Sequence, residues 1–172
     1  QMSKAKPRVL VVDDEEEIRD SLELLLTSED VLADTVANGE EGIERIESNL
    51  YDLVLLDLML PGRSGLEIQK EVRSIDPTLP VVIITAMADI ETAVAAIRSG
   101  AYDYITKPWN NEKLMAIAGN AIKQRRLHNE NVQLRRALKE RFGYSNIVGK
   151  SERMLSLLDM VTQVAASRST VL

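Results

Sequence analysis

The chain has 172 residues, 45% of them hydrophobic and 28% charged, with no cysteine and a single histidine, His128. That length supports one domain with a core plus further material, or two small domains. The composition excludes disulfides, thiolate metal sites, cysteine nucleophiles and multi-histidine metal sites. The net charge of −6 hides an asymmetry: residues 1–109 carry 10 Lys and Arg against 22 Asp and Glu, and residues 110–141 carry 8 against 3. An acidic unit followed by a basic segment predicts different roles for the two parts. No apolar run is long enough to span a bilayer and no signal peptide is visible, so a soluble, cytoplasmic protein is expected. Gln1 ahead of Met2 reads as a remnant before a native start, and residues 1–6 are expected to be disordered.

In chain order, "RVLVVDD" (8–14) reads as a strand, and Ile18, Leu22, Leu25 and Leu26 share one face of a following helix. "DVLADTVAN" (30–38) is a weaker strand, with Ala33 and Asp34 where an apolar residue is expected. Gly42, Ile43 and Ile46 mark a second helix after "NGEEG". "YDLVLLD" (51–57) is a third strand, and Leu66, Ile68 and Val72 give a helical stripe after "RSG". "PVVIITA" (80–86) is a fourth strand. Ile90, Ala93, Val94 and Ile97 repeat at helical spacing and stop at Gly100, a C-cap signal. "YDYITKP" (102–108) is a fifth strand. Continuous branched runs, rather than alternating ones, are the pattern of strands covered on both faces. Strand and helix alternate five times, which predicts an α/β fold with a doubly wound parallel sheet and helices on both faces.

The strong strands end in polar chemistry: Asp13 and Asp14, Asp57, Thr85, and Lys107. Open α/β sheets bind ligands at the carboxyl ends of their strands. Three carboxylates, a hydroxyl and an ammonium are therefore expected at one edge. Crowded carboxylates either take up protons or recruit a cation. Oxygen ligands without His or Cys favour a hard ion, and Mg²⁺ suits one or two carboxylates with waters and phosphate oxygens. A strand-end carboxylate can act as a nucleophile and form an aspartyl-phosphate, with Lys107 and Thr85 serving the phosphoryl oxygens. Each residue also has a plain structural role open to it. Acids favour helix N-termini, and Asp57 can start a turn. Thr85 can cap a helix, and Lys107 can be a charge at a strand end. The shared site explains all of them at once.

The segments "VVDDEEEIRDSL", "DLVLLDLMLPGRSGLE", "PVVIITA" and "AYDYITKP" together resemble the receiver domain of two-component response regulators, over residues 7–122. That resemblance implies a flavodoxin-like five-stranded sheet of order 2-1-3-4-5. It implies that Asp57 accepts a phosphoryl group from the phosphohistidine of a sensor histidine kinase. Asp13, Asp14, Asp57 and the backbone carbonyl of Met59 would bind Mg²⁺. Thr85 and Lys107 would contact the phosphoryl oxygens, and Thr85 and Tyr104 would be the switch residues. A phosphoryl group carries roughly two negative charges. The element expected to respond is the 87–108 face, which is also a second candidate for self-association.

The last helix has no proline from Asn111 to Arg141, and Gly119 is its one glycine. Leu127, Asn131, Leu134 and Leu138 alternate four- and three-residue spacing, as in a coiled-coil seam with a polar residue at a core position. Residues 111–141 are therefore expected to be a linker helix that forms a homodimer, with Arg125, Arg126, Arg135 and Arg136 off the seam and solvated. "FGYSN" (142–146) reads as a break. Ser151 can then cap a helix carrying Met154, Leu157, Leu158, Val161 and Val164. Residues 142–172 resemble the opening of the AAA+ ATPase domain of sigma-54-dependent activators of the nitrogen-regulator type, which would contact sigma-54 RNA polymerase. "VGKS" (148–151) lacks the glycine spacing and preceding strand of a P-loop, so no ATP hydrolysis is expected of these residues. No DNA-reading module and no membrane contact are expected. Two other readings stay open. One is a pseudo-receiver serving as a dimerisation module. The other is a haloacid-dehalogenase-type Mg²⁺ phosphatase, which would want a second carboxylate where Met59 stands.

Overall fold

The computed structural model describes residues 4–142 together with Asp159 and Met160. The chain divides into two compact units, Gln1–Arg125 and Arg126–Leu172. In the first, the apolar runs become β1 (Arg8–Val12), β2 (Leu32–Val36), β3 (Leu53–Leu56), β4 (Val81–Thr85) and β5 (Asp103–Thr106). They alternate with α1 (Glu16–Ser28), α2 (Gly39–Ser48), α3 (Gly65–Ile75), α4 (Ile90–Arg98) and α5, which runs Asn111–Phe142. All neighbouring strands are parallel, in the order β2-β1-β3-β4-β5.

The sheet divides its side chains by parity, because successive residues of a strand point to opposite faces. Leu10, Val12, Val54, Leu56, Val81 and Ile83 pack with Ile43, Ile46, Ile68, Val72 and Ala96, from α2, α3 and α4. Val9, Val11, Leu53, Leu55, Val82 and Ile84 pack with Leu22, Leu26, Leu114, Ala118 and Ala121, from α1 and α5. The central strands are therefore buried on both sides, which is why their sequences read as unbroken apolar runs. The side chains of Asn38, Ser64 and Asp89 accept hydrogen bonds from Glu41, Glu67 and Thr92, capping α2, α3 and α4.

Three features depart from simple pattern reading. The stripe Ile90, Val94 and Ile97 identifies α4, but these residues are 81%, 43% and 48% exposed, and Ala96 is the residue that α4 buries. Arg125 is not solvated: it is 6% exposed and forms a bidentate pair with Asp76 at the end of α3, joined by the Thr78 hydroxyl. Asp34 in β2 is not misplaced. Its carboxylate receives Arg8 Nε at 2.9 Å and the Tyr51 hydroxyl at 2.7 Å, while the Arg8 guanidinium lies over the Tyr51 ring at 5.1 Å. A polar residue is tolerated in this edge strand because it has partners there.

Of the second unit, residues 126–142 are helical, and the break expected over 142–146 lies, past Phe142, outside the described residues. Leu127 and Leu134 are 37% and 52% exposed, and Asn131 and Leu138 are half-buried. Asp159 and Met160 are helical. The expectations for Ser151, "VGKS" and the remaining C-terminal segment lie outside the described residues, as do residues 1–3 of the segment 1–6 expected to be disordered; residues 4–6 are described, and are exposed coil.

Burial and the hydrogen bond to Asp34 push the Tyr51 hydroxyl up to about 12. A raised folded-state pKa contributes stability that is complete below the unfolded value near ~10 and is lost as pH rises through the folded value. Tyr51→Phe should remove the tyrosine that titrates at about 12 from an absorbance titration of the folded protein. Asp34→Ala, which removes the carboxylate partner of Arg8 and leaves the buried Tyr51 hydroxyl without its acceptor, should lower unfolding stability by roughly 1–3 kcal/mol in a urea titration.

Candidate functional site

The carboxyl end of the sheet is assembled by backbone pairing before any side chain matters. Asp13 N–H donates to Val36 O at 3.2 Å, Asp57 N–H to Val12 O at 3.0 Å, and Lys107 N–H to Thr85 O at 2.9 Å. These bonds extend the parallel ladders by a residue beyond β1, β3 and β5 and align the strand ends. The Lys107–Pro108 peptide bond is cis. Gly65 opens α3 against the exit of β3: a Cβ there would fall 2.4 Å from Asp57 O and 2.5 Å from Leu58 Cα. No residue but glycine fits without moving the backbone of Asp57. The segment after Asp57 is a loop whose first residue is not free, since Leu58 is 7% exposed and joins the core.

Lys107 is the centre of the site. Its Nζ lies 2.7 Å from Asp13 Oδ2, 2.8 Å from Asp57 Oδ2 and 3.2 Å from Glu15 Oε1. The side chains of Lys107, Asp13 and Asp57 are 8%, 3% and 4% exposed. Asp57 is thus more enclosed than a reactive strand-end group would be expected to be. Its other oxygen, Oδ1, accepts the Met59 N–H at 3.0 Å. Asp13 Oδ1 accepts the Glu15 N–H at 2.9 Å, and the Asp13 carbonyl accepts Arg19 Nη1 at 2.8 Å.

The electrostatics follow from this enclosure. Loss of water raises the Asp13 pKa above the usual carboxylate value, against the pull of Lys107 and the Glu15 N–H. For Lys107, desolvation works against the charge, but the hydrogen bonds and charges of Asp13 and Asp57 outweigh it and raise its pKa. Ligand oxygens of Asp13, Asp14, Glu15 and Asp57 all lie within 4.8 Å of one another, an arrangement that can hold a metal ion. The chemistry of that set, oxygen donors alone with one side open through exposed Asp14 and Glu15, fits a hard divalent cation that keeps waters.

The remaining expected residues take the following places. Thr85 ends β4, is fully buried, and its hydroxyl accepts the Met87 N–H at 3.5 Å. Tyr104 is half-buried, and its hydroxyl donates to the Met87 carbonyl. Burial, then the charges of Asp89 and Asp57, raise its pKa. The backbone of Met59 lies beside Asp57, and its residue is 58% exposed. Two further contributors, Glu15 and Arg19, lie outside the strand-end pattern. Glu15 joins both the acidic cluster and Lys107, yet its place in "DDEEE" is equally that of an acid at a helix start. Arg19 fixes the Asp13 carbonyl from one turn into α1, and its spacing from Asp13 was the only available signal.

Lys107→Met should leave three crowded carboxylates without their cation. Removing one partner of a buried pair costs about 3–5 kcal/mol. The expected result is a large loss of thermal stability at neutral pH without divalent ions, partly restored by Mg²⁺ and by acidification. Calorimetric melts with and without Mg²⁺ check this.

The sequence pattern described as the response regulator receiver domain matches residues 9–118. The chain is 36% identical over 171 residues to the transcriptional regulatory protein ZraR of Klebsiella oxytoca, covering 99% of this chain and 38% of that protein. The curated relatives are longer, and the chain spans between 34% and 49% of their length. Among solved structures it is similar to NtrX from Brucella abortus, crystallised with ADP, with a TM-score of 0.70 and 37% identity over 76% of this chain and 30% of that one. It is also similar to a CheY-like receiver domain protein from Methanospirillum hungatei, with a TM-score of 0.69 and 28% identity over 72% of this chain and 99% of that one. With the fold, the acidic cluster and the lysine between its carboxylates, these matches establish that the chain belongs to the response regulator receiver domain family.

Proposed function

We propose that the chain is a phosphorylation-dependent signalling switch in which Asp57 accepts a phosphoryl group from the phosphohistidine of a sensor histidine kinase. The observation that carries this reading is the position of Lys107 Nζ, within 2.8 Å of both Asp13 and Asp57. An Asp57 carboxylate oxygen attacks phosphorus, the nitrogen–phosphorus bond of the donor breaks, and the histidine ring takes the bonding pair. Asp13, Asp14, Asp57 and the Met59 carbonyl would hold Mg²⁺, whose charge offsets that of the incoming phosphoryl group. Lys107 leaves its carboxylate partners to meet a phosphoryl oxygen, and the Thr85 hydroxyl donates to another. The carboxylate charge of Asp57 is replaced by a phosphoryl group carrying roughly two, a net gain of about one negative charge, now spread over three acceptor oxygens.

The same change sets the switch. The Thr85 hydroxyl already contacts the Met87 N–H, and the Tyr104 hydroxyl holds the Met87 carbonyl. Moving Thr85 toward a phosphoryl group pulls on that loop and frees Tyr104 to swing inward. By its similarity to sigma-54-dependent activators, the longer protein would use this switch in the cytoplasm to control assembly of an AAA+ ATPase acting on sigma-54 RNA polymerase. Residues 7–122 form the receiver, 111–141 the linker helix, and 142–172 the opening of the ATPase domain, without its P-loop. Leu127, Asn131, Leu134 and Leu138 would form the seam of a homodimer. Beyond accepting the phosphoryl group from the kinase, the chain would itself carry out at most self-phosphorylation from small donors and self-dephosphorylation.

With acetyl phosphate and Mg²⁺, intact-mass analysis should show one phosphoryl group on the chain and none on Asp57→Asn. Stoichiometric acyl phosphate on the variant would sink the assignment, and steady phosphomonoester turnover would favour a phosphatase. Leu134→Glu should convert a dimer to a monomer in analytical ultracentrifugation without changing phosphoryl uptake.

A further inference from the structure

The anchoring of α4 is uneven along its length. Ala96 is its buried residue, while Ile90, Val94 and Ile97 are exposed. Its C-terminal end is built with care. Gly100 has a φ of 98°, its N–H donates to Ile97 O at 3.0 Å, and the Ala101 N–H donates to Ala96 O at 3.1 Å. These bonds form a glycine-terminated cap. Two side chains of α3, one turn apart, reach this cap. Gln69, 1% exposed, donates Nε2 to the same Ala96 carbonyl at 3.3 Å, so both lone pairs of that oxygen are used. The Arg73 guanidinium lies against Gly100, where an added Cβ would fall 1.4 Å from Nη1. Its charge sits at the negative end of the α4 dipole. Gln69 Oε1 is buried without a donor. A methionine or leucine would fill this volume and leave no orphan atom, so packing alone does not account for an amide here.

We propose that Gln69 and Arg73 clamp the C-terminal cap of α4 and make that end a fixed pivot. The opposite end of α4 joins Thr85 through residues 86–89, which are exposed. A displacement of Thr85 is thereby converted into a swing of the N-terminal half of α4 rather than a translation of the whole helix. The clamp is a property of the fold itself. Its use in signalling rests on the phosphorylation reading above.

Residue-resolved amide hydrogen exchange on the full chain tests the clamp before any phosphorylation. In the wild type, the amides of Ser99, Gly100 and Ala101 should be better protected than those of Ala93 to Ala96. Gln69→Met should speed exchange of the cap amides about fivefold, the effect of losing one hydrogen bond, while leaving α3 protected. Equal protection along α4, or cap amides unchanged in Gln69→Met, overturns the proposal. If Gln69→Met does not fold by thermal melt, Arg73→Ala, at an exposed position, carries the same test. With acetyl phosphate and Mg²⁺ added, exchange should change at Ala93 to Ala96 and stay constant at the cap, and a change at the cap overturns the pivot. Absence of acyl phosphate by intact mass overturns the switch reading and leaves the clamp judged by the first comparison.

Discussion

A carboxylate taken out of water needs a compensating charge, and the functional edge of this protein is organised around that requirement. Lys107 supplies it, with Nζ between Asp13 and Asp57 and all three side chains almost wholly enclosed. The arrangement is held from below by backbone ladders that none of these side chains can alter. A lysine buried among acids is costly to assemble and more costly to leave half-assembled. The site is therefore poised: a second cation or a new anion at Asp57 changes the balance that the lysine alone maintains.

That balance connects to the rest of the domain through few contacts. Thr85 and Lys107 belong to adjacent strand ends, and Thr85 leads directly into the loop held by Tyr104. Beyond the loop lies α4, which buries Ala96 while Ile90, Val94 and Ile97 stay exposed, and whose far end meets Gln69 and Arg73 of α3. On the opposite face α5 is locked by Leu114, Ala118 and Ala121 and by the Arg125–Asp76 pair. The sparsely buried α4 shares its side of the sheet with the well-buried α2 and α3.

Much of the architecture was legible in the sequence, for a physical reason. Unbroken branched runs such as "LVLL" arise only where both sheet faces are covered, and the polar residue after each run marks where cover ends. Asp13, Asp14, Asp57, Thr85 and Lys107 could be placed at one edge from that rule alone, and the strand order followed from the resemblance those residues carry. The same logic located Gly100 as the end of α4. It failed to orient α4, because a stripe of apolar residues defines a helix face without saying whether the sheet has room for it. Ala96, the small residue outside the stripe, is the one that approaches the sheet.

Charged residues divided in the same way. Sequence spacing put Arg125 on a solvated face and made Asp34 an irregularity. In the folded chain each has a partner far away in sequence, Asp76 and Arg8, and is satisfied by it. The sequence by itself determined the elements, their alternation and the chemistry delivered to the sheet edge, since these depend on local periodicity and on where apolar runs stop. The tertiary structure alone decided which charges are paired, how deeply Asp57 is enclosed, and which end of α4 is held. Those outcomes depend on distances between residues dozens of positions apart, and no local pattern encodes them.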